Sequence, residues 1–267
     1  MSGSPTELFA AGQLTEAIAA GTEAVKRKPM DASARGLLAE LLCIAGNWER
    51  ADVHLDALLR QEPEAAPGIS LLRQLVRAAQ ARDQFYSEGR IPEFLTEPGA
   101  WVRLHLEASV LLRDGRPAEA AARIEQAESE RPVLKGECNG QRFEGLRDLD
   151  DLTSGLFEVL TSTGKYFWIP METVELVEFR APSRPRDLLW RRARMSTRDG
   201  TDGEVFIPAI YAAGGQDLGD AARLGHSTDW LGGEGEPVRG TGQRMFLFGD
   251  EDISIMEVNE LAFDENT

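Results

Sequence analysis

A spacing of 34 residues constrains this chain more than any other feature. Gly12 and Gly46 are separated by it, as are Ala17 and Ala51, and Pro29 and Pro63. Gly115, Ala120 and Pro132 keep the same internal offsets one residue beyond two further periods. Between these markers, apolar residues recur at helical period. Leu38, Leu41, Leu42 and Ala45 form one stripe, and Trp48, Ala51, Leu55 and Leu58 another. Glycine permits the turn, alanine lets two helices approach closely, and proline ends the second helix. A helix–turn–helix unit of this length is the tetratricopeptide pattern.

The pattern predicts a truncated first hairpin over 5–29, a second over 31–63 and a third from Ala100 to Pro132. Between them a long helix spans 68–87, with Ile69, Leu72, Leu75, Val76 and Ala79 on one face, followed by a short partner helix around Ile91–Leu95. After Pro132 the composition turns polar and glycine-containing. A linker and one helix from Leu149 to Leu160 are expected there. From Tyr166 onward, short runs at 166–169, 174–179, 188–195, 205–211, 244–248 and 253–258 read as strands of a small bent sheet or barrel. Pro208 suits a sheet edge or a bend. The expected fold is α+β in two domains: tetratricopeptide-like hairpins over 1–134 and a mostly-β or α+β domain over 135–267.

Charge narrows the function. The chain has 45 acidic against 29 basic residues, a net charge of -16, and most of the excess lies in its second half. Nucleic-acid and anionic-membrane binding both need a positive surface, so neither is expected. No apolar run is long enough for a membrane span, and MSGSPTELF has no signal-peptide pattern, so a cytoplasmic location is expected. Of the two cysteines, Cys43 reads as a core residue, and Cys138, in KGECNGQ, as exposed.

No catalytic constellation emerges. His54, His105 and His226 share no metal-ligand spacing. Asp148, Asp150 and Asp151 could supply paired carboxylates or bind a cation, and helix capping is the preferred reading. Gly232, Gly233, Gly235, Gly240 and Gly242 have the composition of a phosphate loop without its lysine and hydroxyl residue, and a hairpin connection is preferred. Arg180, Arg184, Arg186, Arg191, Arg192, Arg194 and Arg198 form a basic cluster able to dock an acidic partner, although pairing with the domain's own carboxylates is the simpler reading.

The stretches RFEGLRDLDD, KYFWIP, DLLWRRARM and EVFIPAIY, following weak N-terminal repeats, resemble the ImpE/SciE family, also called TagJ, of type VI secretion accessory proteins. The matching positions are Asp148, Asp150, Trp168, Pro170, Trp190, Pro208 and Tyr211. The resemblance implies a non-enzymatic cytoplasmic adaptor with no cofactor. Its implied partners are the N-terminal helix of the small contractile-sheath subunit and the AAA+ ATPase that recycles sheath. The repeats themselves suggest a helix-binding groove lined by their first helices. Ser33, Glu40 and Cys43, with His105, Ser109 and Leu112, are the expected exposed positions, together with Arg191, Arg192 and Arg194 from the basic cluster. The groove or its junction with the β region is the expected seat of a partner helix. A chaperone for a secreted effector and a metal-dependent enzyme using the Asp148 cluster are the alternatives.

Overall fold

The computed structural model describes residues 3–212, 214 and 217–265. Seven helices come first: α1 Pro5–Ala10, α2 Leu14–Arg27, α3 Ala32–Ile44, α4 Trp48–Gln61, α5 Ala66–Glu88, α6 Ala100–Arg113 and α7 Pro117–Glu130. The repeat markers occupy equivalent places. Gly12, Gly46 and Gly115 make the turns with φ of 76°, 72° and 70°, a conformation that side-chain-bearing residues rarely adopt. Ala17, Ala51 and Ala120 are fully buried where paired helices cross. Ser4 and Glu7 form a capping box on α1, and the Asp31 carboxylate accepts the Ala34 N–H at the start of α3.

The expected partner helix at Ile91–Leu95 does not form. Pro92 disfavours helical geometry at the residue before it, and α5 stops at Gly89 in the left-handed region. Glu93 then joins the sheet edge. Its N–H donates to the Tyr166 carbonyl at 2.9 Å, and its own carbonyl accepts the Trp168 N–H at 3.1 Å. α5 is left without a following hairpin partner; it packs chiefly on α4, and its other side meets β4, β5 and α6.

The strands are β1 Lys135–Cys138, β2 Gln141–Glu144, β3 Leu146–Asp148, β4 Leu156–Leu160, β5 Tyr166–Pro170, β6 Val174–Phe179, β7 Trp190–Thr197, β8 Asp202–Pro208, β9 Thr228–Leu231, β10 Arg239–Gly242, β11 Met245–Phe248, β12 Glu251–Ser254 and β13 Glu260–Phe263, with a short helix α8 Asp220–Arg223 before β9. An antiparallel sheet runs β2-β1-β13-β6-β7-β8-β4-β5, beside a three-stranded sheet β12-β11-β3 and the β9–β10 hairpin. The described strands therefore form an open sheet with β2 and β5 at its ends, not a barrel.

Several expectations for the β region fail. The linker and the 149–160 helix are in fact β1 to β4, with a 3₁₀ turn at Asp151–Thr153. β4 is buried at every position, so it lacks the alternation that marks a half-exposed strand. Cys138 is buried because β1 turns alternate residues inward, and burial pushes its thiol up to about 11. Pro208 ends β8, which lies between β7 and β4 and is not an edge strand.

The core has two parts. One lies within the β region and includes Phe157, Val177, Ile207, Phe246 and Phe248. The other runs without interruption from the helices into the strands, joining Leu38, Leu42, Leu75 and Phe85 to Leu156, Trp168, Trp190 and Phe206. The face of the second repeat is covered by the chain itself. Residues 185–188 pack on α3, Arg186 pairs with Glu40 at 3.4 Å, and Trp190 stacks on Trp48 at 5.9 Å.

Candidate partner-binding cleft

A buried charge network fixes where helices and strands meet. Glu158, alone among apolar residues in β4, accepts Arg82 Nε at 2.9 Å and Arg82 Nη2 at 2.7 Å from α5. It also accepts the hydroxyls of Tyr86 and Tyr166 at 3.0 and 2.6 Å, and Arg244 Nη2. Arg244 Nη1 reaches Asp148 at 2.8 Å, and Tyr211 donates to the same carboxylate at 2.7 Å. The two arginines hold Glu158 far below the usual carboxylate range against the opposing cost of burial. Burial pushes Asp148 up to about 6 against the pull of Arg244.

The network extends into the hairpin. Asp150 accepts Arg239 Nε at 2.8 Å, the Gly240 N–H at 3.0 Å and, as a cap, the Leu152 N–H at 2.9 Å. Asp151 accepts the Val238 N–H at 2.6 Å and donates its own N–H to the Val238 carbonyl. The aspartates are thus saturated by protein donors, and capping at Asp150 is one of their jobs. Among the described residues, no group of three or more His, Cys, Asp or Glu is placed to hold a metal. The glycines serve close approach. A Cβ at Gly240 would lie 2.4 Å from the Tyr211 ring, and one at Gly242, with φ of 80°, 2.0 Å from the Ser227 carbonyl.

So anchored, the hairpin forms one wall of an open cleft whose other wall is helical. Two cavities meet along Tyr86 and Ser87. One, of about 360 Å³, lies among Ile44, Trp48, Asp83, Trp190 and Arg223. The other, of about 580 Å³, lies between Ser109, Leu112 and Arg113 of α6 and Leu231, Pro237 and Arg239 of the hairpin. Leu231 is 37% exposed, and Trp230 beside it 44%.

The sequence-predicted positions separate accordingly. Leu112 and Ser109 line the second cavity and Cys43 the first. Cys43, His105 and Ser109 are nonetheless buried, not exposed. Burial drives the Cys43 thiol far up, and Ser109 spends its hydroxyl proton on the Leu106 carbonyl at 2.7 Å. Glu40 is covered by Arg186, and burial raises its pKa. Glu40 and Ser33 line a separate depression of about 570 Å³ between α3 and the start of α5.

The arginines divide by strand alternation. Arg191 points into the β core, donating Nη1 to the Ile255 carbonyl at 2.9 Å and Nη2 to that of Val258 at 3.2 Å, so it cannot meet a partner in this conformation. Arg192 and Arg194 face outward but are engaged by Glu204 and Asp202, the internal pairing that the sequence favours. Leu231, Pro237 and Arg113 were not singled out by sequence, because only the fold brings the hairpin opposite α6.

His105 carries a testable consequence. Its ring lies edge-on to Trp101 at 5.7 Å, and among the described residues neither ring nitrogen makes a hydrogen bond of good geometry. Burial lowers its pKa to about 4, with Arg131 and Arg147 acting the same way and Glu128 and the Leu152 backbone opposing. The unfolded chain takes up this proton near pH 6.5 and the folded chain only near 4. Stability contributed by the neutral ring is therefore complete above about pH 6.5 and is lost as pH falls towards 4, by up to about 3 kcal/mol. Urea unfolding of His105→Leu at pH 7 and pH 4.5 is expected to show a smaller acid loss than wild type by about 2 kcal/mol. Equal losses in the two proteins would refute this.

Among the described residues no helix is long and apolar enough to cross a membrane. The family model described as ImpE protein matches residues 140–262, and a tetratricopeptide-repeat model matches residues 8–75. The type VI secretion system accessory component TagJ of Pseudomonas aeruginosa is 31% identical over 258 residues, spanning 97% of this chain and 90% of that protein. The crystal structure of a Vibrio parahaemolyticus protein superimposes with a TM-score of 0.92 at 29% identity over 98% of both chains. With a relative this similar along nearly the whole length and a family match across the strands that build the cleft, the chain belongs to the ImpE/TagJ family.

Proposed function

We propose that the protein is a non-enzymatic adaptor of a type VI secretion system, working in the cytoplasm. It seats an amphipathic partner helix in the cleft between α5–α6 and the β9–β10 hairpin. The partner is the N-terminal helix of the small contractile-sheath subunit, and the complex links sheath to its AAA+ recycling ATPase. One observation carries this reading. Residues 185–190 pack over part of the second repeat's face and leave only a separate depression there, whereas the junction of helices and hairpin stays open with Leu112 on one wall and Leu231 and Pro237 on the other, among polar neighbours. The name of the Pseudomonas relative supports the secretion-system setting. Helix-in-groove recognition supports the mode, since the hydrophobic face of an incoming helix would cover Leu112, Leu231 and Pro237.

The test is a pull-down of tagged protein from its own cytoplasm, followed by titration of the recovered partner. The small sheath subunit is expected, with the ATPase in the same complex. Leu112→Asp and Leu231→Asp, on opposite walls, are each expected to weaken binding by roughly tenfold or more, because each replaces an apolar contact with a charge to be desolvated. Leu231 is exposed, so that change should hardly alter melting temperature, whereas Leu112 packs against the core and Leu112→Asp should lower it modestly. Full affinity in both variants would remove the cleft from the account. Recovery of a secreted effector without sheath protein would favour a chaperone role.

A further inference from the structure

We propose that Arg113 is the specificity-determining contact of the cleft, and that the bound segment carries an acidic side chain to meet it. This rests on the cleft reading above and names chemistry that its occupant must have. Arg113 is the last residue of α6 and lines the second cavity beside Leu112. Its guanidinium is held in place. Nη1 donates to the Phe85 carbonyl at 3.0 Å and to Ser109 Oγ at 3.3 Å, and Cζ lies 5.9 Å from the Phe85 ring centroid. These contacts use one nitrogen. Nε and Nη2, the edge that takes a carboxylate with two parallel hydrogen bonds, have no acceptor among the described residues.

The absence of a carboxylate is informative because acid is abundant. The chain holds 45 Asp and Glu against 29 Lys and Arg. Nearby arginines are satisfied: Arg82 by Glu158, Arg239 by Asp150, and Arg116 by Glu119. Glu236, across the cavity, turns its carboxylate back to the Gly233 N–H at 3.0 Å. A half-buried cation with apolar residues beside it and no carboxylate partner among the described residues is complementary to an anion arriving with the ligand. Leu112, Leu231 and Pro237 set the surrounding requirement, an apolar face. The occupant is therefore an amphipathic segment with an Asp or Glu at the border of its apolar stripe, and lysine cannot replace the planar fork at full strength.

The experiment uses the full chain and a synthetic peptide spanning the N-terminal helix of the cognate small sheath subunit, titrated by calorimetry. Arg113→Gln is expected to weaken binding about tenfold, the scale of one charge-assisted pair, and Arg113→Lys by less. Each acidic residue of the peptide is then changed to its amide. One such change should weaken binding to wild type about tenfold and add nothing in Arg113→Gln, since the pair is already broken. Unchanged affinity in Arg113→Gln, or additive losses for every peptide change, would overturn the assignment while leaving the cleft in place. A peptide that fails to bind wild type would overturn the cleft reading and this one with it. If Arg113→Gln does not fold, the peptide series against wild type and Arg113→Lys decides, and indifference to every acidic residue is the contrary result.

Discussion

Glu158→Gln should destabilise the folded chain by about 3–5 kcal/mol, the scale seen when one partner of a buried ion cluster is removed. The reason is local charge balance. Arg82, Arg239 and Arg244 face Glu158, Asp150 and Asp148, and each of these carboxylates is almost inaccessible to water. Glu158 receives both Arg82 and Arg244, so its neutralisation strands cationic groups that cannot be rehydrated. The hydroxyls of Tyr86 and Tyr166 lose an ionic acceptor at the same time. Urea unfolding is the measurement, with the midpoint moving and the slope preserved. Breaking the exposed Arg60–Asp56 pair with Arg60→Ala is the control and should change stability by less than about 1 kcal/mol. A Glu158→Gln loss no larger than the control would contradict the network's structural role. The pH sign follows from the depressed pKa. Glu158's contribution is complete above its unfolded value near 4.5 and is lost as pH falls below it.

Asp150→Ala is expected to cost about 2–4 kcal/mol and to loosen the cleft at the same time. Asp150 is 2% exposed and holds Arg239, the Gly240 N–H and the Leu152 N–H together. Without it, Arg239 has no carboxylate partner and the inner edge of β10 loses an acceptor. Asp151 still binds the Val238 N–H, so the hairpin is released at one point, not detached. Hydrogen exchange should therefore quicken at Gly240 and across β9–β10 while the α2–α4 amides keep their protection. Partner affinity should fall as well, because one wall of the cleft is no longer preorganised. Unaltered exchange in the hairpin would show that β9–β10 is held by something other than Asp150.

Much of the helical half is legible in sequence because its constraints are local. A glycine at positive φ, an alanine where two helices cross and a proline after the second helix each act within a few residues. Gly12, Gly46 and Gly115 show it directly. The strands are legible where one face is exposed, as in β6 and β7, or where the run is aromatic and ends at a proline, as in β5. They are hidden where both faces are buried, as in β4, or where the run is short and polar, as in β1 and β2. The network is illegible for a different reason. Asp148 and Asp150 stand out individually, but Arg82 meets Glu158 across 76 residues and Arg244 meets Asp148 across 96. No local spacing carries such pairs. Cys43, His105 and Ser109 look exposed when the repeats are considered alone. They are buried because residues 185–190 and the turn after Asp148 pack where an isolated repeat array would face water. Leu112, half-buried against the core, lies on the helical wall of the open cleft.

Site-specific photocrosslinking in the native cell maps the partner's seat on the protein. A photoreactive residue at position 112 or 231 lies on a wall of the cleft, and one at position 53, where Val53 is 67% exposed on α4, lies outside it. Crosslinks to the small sheath subunit are expected from 112 and 231 and none from 53. Crosslinks to that subunit from 53 alone, or none from any of the three, would contradict the cleft as that seat.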